Sequence, residues 1–326
     1  MVSARTEKAS WWVVPYEGDT TFKRVRIRDE ARVQSVLRHI LAHQCVALVG
    51  PANCAKTHLL ADVVGELQRS GRFLPVVVDL WTAASTDETS FFTSLADLIT
   101  RRLPNPPLTP TPINTARAFQ NFLVACCTRH EQHIALFVDH LQALPHDLVH
   151  ALLLSLRAAY MEQPVDALAR LVAIVTGGMN LVGFSATPTS PFNIARPVLA
   201  GPLTSEQTVA LARASFEAWG CRASEGAIER VAQWAGGDHY LVPWLCHQSA
   251  QVLAGHAKLF VTRRQLDRII AELADRPTEL LPFNEAIKMI EEDPDTLLDM
   301  LDVLSNGRLS RRQSRQVITR TGLDRL

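Results

Sequence analysis

The stretch Gly50-Pro51-Ala52-Asn53-Cys54-Ala55-Lys56-Thr57 decides the fold that this sequence predicts. An apolar run, Cys45 to Val49, comes directly before it, and Lys56 to Ser70 carries apolar residues that recur at three and four positions. The first pattern is typical of a buried strand and the second of an amphipathic helix. The sequence therefore predicts a strand, a tight loop and a helix in direct succession.

The spacing within this stretch is that of the phosphate-binding pattern Gly-x-x-x-x-Gly-Lys-Thr, with Ala55 in place of the second glycine. In that pattern the N–H groups of the loop and the positive end of the helix face the phosphates. We predict that Lys56 neutralises the β- and γ-phosphates and that Thr57 coordinates Mg²⁺. A left-handed backbone at Ala55 would cost about 1 kcal/mol, which weakens binding without abolishing it. The predicted nucleotide contacts are Gly50, Pro51, Ala52, Asn53, Cys54, Ala55, Lys56 and Thr57.

The composition excludes several classes of protein. The 326 residues are 47% hydrophobic, and 33 basic side chains balance 33 acidic ones, so the chain has no overall charge that would attract nucleic acid or lipid. Its longest apolar runs are strand-sized, far below the roughly 20 residues of a membrane-spanning helix. The first ten residues lack the apolar core of a secretory signal, which predicts a cytoplasmic protein. The six cysteines lack metal-ligand spacing, so we interpret them as buried apolar residues.

Strand-sized apolar runs alternate with amphipathic segments through the first two hundred residues, which predicts an α/β fold with a parallel sheet flanked by helices. Beyond Pro202 the period is helical, and Thr204 and Gln207 have the spacing of a capping box. The expected units are an N-terminal extension (1–28), a nucleotide-binding domain (29–203), an all-helical lid (204–275) and a mostly helical C-terminal region (276–326). The predicted strands are Cys45–Val49, Val76–Leu80, Ile134–Asp139, Leu171–Thr176 and Val198–Leu203.

A second acidic position follows the strand Ile134 to Asp139. A carboxylate at a strand end beside a phosphate-binding loop typically holds Mg²⁺, so Asp139 is the predicted metal-side carboxylate. Hydrolytic enzymes of this kind usually place a glutamate next, as the base that activates water. Here the next residue is His140, which predicts slow hydrolysis or none, and a plain surface role for His140 stays open.

Three segments together, Gly50 to Thr57, Ile134 to Asp139, and Leu171 to Thr176 with the following Gly177 to Leu181, resemble AAA+-like ATPases of the bacterial STAND type (signal-transducing ATPases with numerous domains). The resemblance runs from about residue 21 to residue 273, with degenerate Walker motifs. It implies ATP as the nucleotide and a polar γ-phosphate sensor at Thr176 or Asn180. Arg196 is implied as a second charge sensor, with a surface salt bridge as the alternative.

The segment Ala235 to Cys246 looks like the Gly-Gly-His-Pro-Tyr-Leu segment of the same family, which opens a lid helix near the base and ribose. His239 stands where the family has proline, and it is counted among the nucleotide contacts. Gly236 and Gly237 supply the permissive backbone of such a turn, with a plain helix C-cap as the alternative.

Three functions follow from the resemblance. The first is a nucleotide-dependent conformational or oligomerisation switch in bacterial signalling or defence, with self-association or an effector protein as partner. The second is a nucleic-acid-associated regulator, as in transposition, that uses a basic C-terminal segment. The third is a pseudo-ATPase in which ATP is a structural ligand. The basic segment contains Arg308, Arg311, Arg312, Arg315, Arg320 and Arg325.

Overall fold

The computed structural model describes residues 10–17, 22–51, 53–83, 87–107, 113–161, 168–178, 192–253 and 260–274. The strands are β1 (Trp11–Pro15), β2 (Val25–Asp29), β3 (Val46–Val49), β4 (Phe73–Asp79), β5 (His133–Asp139), β6 (Leu171–Gly177), β7 (Arg196–Leu199), β8 (Arg222–Ala223) and β9 (Phe260–Val261). The helices are α1 (Glu30–Leu41), α2 (Lys56–Ser70), α3 (Glu88–Thr100), α4 (Ala116–Arg129), α5 (His146–Met161), α6 (Ser205–Ala218), α7 (Glu225–Ala235), α8 (Leu241–Val252) and α9 (Arg263–Ala274). In these ranges no helix is both long and apolar enough to span a bilayer.

The centre of the molecule is a five-stranded parallel sheet in the order β4-β5-β6-β3-β7. The predicted α/β class is confirmed. Because all five strands are parallel, their carboxyl ends meet at one edge, and β6 lies between β3 and β5. The ends of these three strands therefore form one continuous edge beside the loop that follows β3.

Helices cover both faces of the sheet. On one face α3, α4 and α5 bury large side chains, including Phe92, Phe119 and Leu152, all at 0% exposure. On the other face α1 and α2 pack through residues such as Ile40 and Val63. Burial on both faces explains why the strands have continuous apolar runs instead of alternating ones. All six cysteines are buried.

The last strand of the sheet differs in its bounds from the prediction. β7 spans Arg196–Leu199, earlier than the expected Val198–Leu203. After Ala200 the backbone leaves the sheet, and the N–H of Leu203 donates to the carbonyl of Gly237, 2.8 Å away. The residues after Leu199, which the sequence assigned to the strand, therefore form the connection from the sheet to the lid.

The segment that the sequence predicts as a lid, for which we keep that name, contains α6 to α9 around a third core that includes Phe216, Ile228 and Leu245. The predicted capping box is confirmed. The Thr204 hydroxyl accepts from the Gln207 N–H at 3.2 Å, while the Gln207 side chain accepts from the Thr204 N–H at 2.9 Å. This cap fixes where α6 begins, immediately after the connection from the sheet.

The N-terminal extension contains an antiparallel pair, β1 and β2, that the sequence prediction did not include. Its Ile27 belongs to the core of the lid. Arg24 lies over the Trp219 ring at 3.6 Å, and the Trp219 indole N–H donates to the Phe22 carbonyl. We call β1, β2 and the described residues between them, 16–17 and 22–24, the hairpin. Its alternation in Val25-Arg26-Ile27-Arg28 is the period-2 signal that would have predicted a strand.

Candidate functional site

The loop after β3 leaves no room for a side chain at Gly50. A Cβ there would lie 2.2 Å from the Ala200 carbonyl oxygen and 2.7 Å from the Cys54 sulfur. The Gly50 N–H donates to the carbonyl of Gly177 at the end of β6. Glycine is therefore required because the loop backbone passes directly against the neighbouring strand ends.

Two residues of this loop have left-handed backbones, Asn53 with φ of 58° and Ala55 with φ of 61°. Asparagine tolerates this conformation, whereas alanine is strained in it by about 1 kcal/mol. Ala55 is also the N-cap of α2 and provides no side-chain cap. The sequence left the sign of φ at Ala55 open, and the left-handed, strained case is the observed one. Ala52 lies outside the described residues.

The ammonium group of Lys56 is held against the loop. Its Nζ donates to the carbonyl of Gly50 at 2.8 Å and to the carbonyl of Pro51 at 2.6 Å. A lysine held here by neutral carbonyls can exchange them for phosphate oxygens, which are stronger, charged acceptors.

Two hydroxyl groups, one from α2 and one from the end of β6, donate to the carboxylate at the end of β5. The Thr57 hydroxyl donates to Oδ2 of Asp139 at 2.9 Å, across 82 positions of sequence. The Thr176 hydroxyl donates to Oδ1 of the same carboxylate. Asp139 is 3% exposed and Thr176 is 0% exposed. The fold thus brings together Thr57, Asp139 and Thr176, while the other predicted sensor, Asn180, lies outside the described residues.

His140 continues this polar cluster. Its N–H donates to Asp139 Oδ1 at 2.9 Å, and its backbone is left-handed, with φ of 64°. Its ring Nδ1 lies 2.9 Å from Oδ1 of Asp79. An ionised Asp79 makes Nδ1 the donor and leaves Nε2 with the lone pair.

Asp79 is a site residue that the sequence reasoning missed. It ends β4 and stands in register with Asp139 at the end of β5. The signal was present, because Phe73 to Val78 is an apolar run that ends in an acid, as does the run before Asp139. Two such runs predict paired carboxylates once the two strands are known to be neighbours.

A cavity of about 520 Å³ opens beside these residues. We call the part near Lys56 and Thr57 the phosphate end. We call the part lined by residues of the hairpin and by Tyr240 of the lid the hairpin–lid end. The cavity is lined by Tyr16, Phe22, Lys23, Asn53, Cys54, Ala55, Lys56, Thr57, His58, Trp81, His140, Gln142 and Tyr240.

Solved structures share this fold. A Walker-type ATPase of Pyrococcus abyssi aligns with a TM-score of 0.63 and 15% identity, over 91% of this chain and 89% of that one. CDC6P from Pyrobaculum aerophilum aligns with a TM-score of 0.55 and 17% identity, over 71% of this chain and 63% of that one. The chain has the fold of a P-loop NTPase, a parallel sheet flanked by helices.

A further neighbour with this fold is the Aeropyrum pernix ORC1 protein, solved in complex with DNA. Its TM-score is 0.52 at 14% identity, over 85% of this chain and 71% of that chain. No family model matches the chain, and no curated protein matches it by sequence. At these identities the likeness establishes the P-loop NTPase fold and leaves the activity to be argued from the site.

Two predicted contacts, Arg196 and His239, lie apart from the phosphate end of the cavity. Arg196 begins β7 opposite Val46, the first residue of β3, whereas the loop follows the last residue of β3. Its exposed side chain therefore lies at the other edge of the sheet, and the fold does not bring it to the loop. Parallel pairing sets this result, since a residue at the start of one strand cannot reach the ends of its neighbours.

His239 lies in a second, smaller cavity between the loop and the lid, together with Cys54, Ala55 and His58. It is 7% exposed, and burial lowers its pKa to about 3, with the positive charge of Lys23 acting in the same direction. Burial likewise lowers the pKa of His58 to about 4. His239 therefore lies neutral beside the loop, and its neighbour Tyr240 lines the larger cavity.

The two lid glycines have separate roles. Gly236 ends α7 with a left-handed φ of 57°, as a helix C-cap. Gly237 has φ of 85°, and a Cβ on it would lie 2.5 Å from the Leu203 carbonyl oxygen. The first is the plain cap that the sequence left open, and the second lets the lid approach the connection from the sheet. The C-terminal region 276–326, with its arginines, lies outside the described residues.

Proposed function

We propose that the chain binds ATP with Mg²⁺ in the 520 Å³ cavity and acts as a nucleotide-dependent conformational switch with slow or absent hydrolysis. The proposed setting is that of the STAND proteins, in which the nucleotide state is transmitted to a self-associating assembly or to an effector in signalling or defence. Lys56, Thr57 and Asp139 carry the binding, and the lid transmits the change.

The observation that carries this proposal is the hydrogen bond of 2.9 Å between Thr57 and Asp139. It joins the two residues that the sequence assigned separately to the metal. Their oxygens are the hard ligands that Mg²⁺ prefers, and both lie at the sheet edge next to the Lys56 ammonium. Gly50 adds a loop backbone that no side chain obstructs. These residues fit a magnesium-bound triphosphate.

Each residue has a defined part in the proposal. Lys56 exchanges the loop carbonyls for phosphate oxygens, and Thr57 and Asp139 hold the metal. Mg²⁺, when bound, supplies positive charge that offsets the charge of the phosphates. Thr176 holds the Asp139 carboxylate in place and links the metal side to β6.

Slow hydrolysis follows from the residue after Asp139. His140 stands where a glutamate would be expected to activate water, and its ring is bound to Asp79 through Nδ1. The imidazole is shorter than a glutamate side chain and is fixed at the Asp79 side of the cavity. We propose that His140 supports at most a slow reaction, so that the bound state is long-lived.

The switch itself follows from the walls of the cavity. Lys56 and Thr57 belong to the sheet unit, whereas Tyr240 belongs to the lid and Phe22 to the hairpin that is packed on it. A ligand that contacts both units binds one relative orientation of them more tightly than others. Binding therefore shifts the population toward that orientation.

Calorimetric titration with Mg²⁺-ATP tests the central claim. Lys56→Ala is expected to raise Kd at least tenfold, because a charge-assisted contact is worth about 1.5–3 kcal/mol. Arg69→Ala, at an exposed position of the same helix, is the matched control and should leave Kd unchanged. Equal affinities of Lys56→Ala and the unaltered chain would contradict the assignment.

Two alternatives share this binding site and differ in the consequence of binding. A pseudo-ATPase retains bound nucleotide with no phosphate release, so turnover by the isolated chain counts against it. A nucleic-acid-associated regulator binds DNA through the arginines of residues 307–326, with an affinity that falls steeply as salt is added. Absence of DNA binding at low salt would exclude the regulator.

A further inference from the structure

The hairpin–lid end of the cavity is lined by aromatic side chains from three separate segments. Phe22 and Tyr240 meet edge to face with ring centroids 4.8 Å apart, and Tyr16 meets the His58 ring in the same manner at 5.1 Å. Aromatic walls favour flat ring systems, and stacking of a nucleobase on such a side chain contributes roughly 1–3 kcal/mol. This end of the cavity therefore suits the base of the nucleotide.

Lys23 is the charged residue placed among these rings. It is 9% exposed, and its Nζ lies 5.0 Å from the centroid of the Tyr16 ring. Lysine is rarely buried to this extent, because removing the ammonium from water is costly. Burial lowers its pKa to about 8, against the opposing effect of Asp238.

Groups from the hairpin, from α2 and from the segment before α8 surround Lys23. The charged or titratable groups that act on it or are acted on by it are Asp238, Arg26, His58, His239 and Tyr16. Asp238 is the acidic member of this set, and its Oδ1 already accepts the N–H groups of Tyr240 and Leu241. Lys23 thus places an ammonium group in the wall of the same cavity that Lys56 lines.

We propose that Lys23 is a specificity-determining residue that donates a hydrogen bond to a ring nitrogen or carbonyl oxygen of the nucleobase. This inference rests on the proposed function, because it presupposes a nucleotide in the cavity. An ammonium has three donors and no acceptor, so it favours the edge of a base that presents acceptors. Lys56 serves the phosphates at the other end, which leaves Lys23 to serve the base.

The test compares a ligand that has a base with one that lacks it. Kd is measured by calorimetry for Mg²⁺-ATP and for Mg²⁺-tripolyphosphate, in the unaltered chain and in Lys23→Met. Methionine keeps the length and the apolar stem, so folding should persist and is checked by thermal melting. Loss of the charged hydrogen bond is expected to weaken ATP about tenfold and tripolyphosphate less than twofold. Lys56→Ala, in contrast, should weaken both ligands.

The pH dependence provides a second measurement on the same proteins. Lys23 is protonated below a pKa of about 8, so the preference for ATP over tripolyphosphate should decline as pH rises through 8. In Lys23→Met the preference should be independent of pH over that range. Equal losses of both ligands, or no loss of ATP binding, would overturn the role of Lys23. Failure of the unaltered chain to bind either ligand would instead refute the proposed function.

Discussion

The two ends of the cavity are built in opposite ways. The phosphate end comes mainly from one contiguous loop, Gly50 to Thr57, completed by the strand-end residues Asp139 and Thr176. The hairpin–lid end comes from residues near 20 and near 240, which only the packing of the hairpin on the lid brings together. Backbone geometry defines the first end and side-chain packing defines the second, so the two should respond differently to substitution.

The largest effect is expected where the hairpin is attached to α2. Asp62 is 6% exposed and accepts two hydrogen bonds from Arg26, at 2.8 and 2.6 Å. Asp62→Ala removes this partner from the Arg26 guanidinium, which is 13% exposed, and also a 3.4 Å contact with Arg28, so it should lower the free energy of unfolding by about 3 kcal/mol in urea denaturation. The exposed pair Arg213–Glu225 provides the control, since Glu225→Ala should have almost no effect. Equal effects of the two substitutions would mean that the Arg26–Asp62 pair contributes no more to stability than an exposed ion pair does, which contradicts its role in attaching the hairpin to α2.

The phosphate end was largely predictable from sequence because most of its residues are contiguous in the chain. The loop, its strand and its helix are adjacent in the chain, and α2 was predicted with the bounds that the structure has, Lys56–Ser70. Asp139 was predictable because an acid after an apolar run has few other meanings beside such a loop. The fold class and the carboxyl ends of β3 and β5 follow from the same local patterns. The predicted Val76–Leu80 was displaced, because β4 begins at Phe73 and ends at Asp79, after which Leu80 enters a 3-10 turn.

The hairpin–lid end was not predictable, because its residues carry no joint signal in the sequence. Tyr16 and Lys23 precede the first recognisable motif, and their relation to Tyr240 depends on which face of β2 enters the lid core. Arg196 failed to reach the site for a related reason. Its order in the sequence suggested a place near nucleotide, but the direction of β7 puts it at the opposite edge of the sheet.

A substitution at Gly50 tests the phosphate end directly. A Cβ would lie 2.2 Å from the Ala200 carbonyl oxygen, so Gly50→Ala must displace the loop or the end of β7. We expect a loss of about 3 kcal/mol in the free energy of unfolding, the upper range for overpacking. The control is Gly65→Ala in the interior of α2, where the nearest atom to the added Cβ is an arginine side chain at 4.0 Å. That change should raise stability by about 0.5–1 kcal/mol.

Acid should lower the free energy of unfolding through His239, which lies in the small cavity between the loop and the lid. The pKa of His239 is about 3 in the folded chain, below the ordinary value of 6.5, so the unfolded chain takes up its proton first as pH falls. Its contribution to stability is therefore complete above pH 6.5 and declines toward pH 3. Between pH 6.5 and 5 this residue alone should account for about 2 kcal/mol, at 1.36 kcal/mol per unit.

His239→Gln isolates that contribution from the parallel one of His58, whose pKa is lowered to about 4. Urea denaturation at several pH values should give a shallower decline for the variant than for the unaltered chain. Parallel curves for the two proteins would show that His239 does not titrate on unfolding and is open to solvent in the folded chain.

The smallest effect concerns Ala55, the residue that departs from the phosphate-binding pattern. Its φ of 61° is left-handed, so Ala55→Gly should relieve strain and raise the free energy of unfolding by up to about 1 kcal/mol, less the entropy that glycine adds to the unfolded chain. Gly71, the C-cap of the same helix, has φ of 66° with no atom within 4 Å of an added Cβ. Gly71→Ala should therefore lose about the same amount by the same mechanism. If Gly71→Ala lowers stability while Ala55→Gly leaves it unchanged, the backbone strain at Ala55 is already offset within the loop. The alanine would then not weaken nucleotide binding in the way that the sequence predicts.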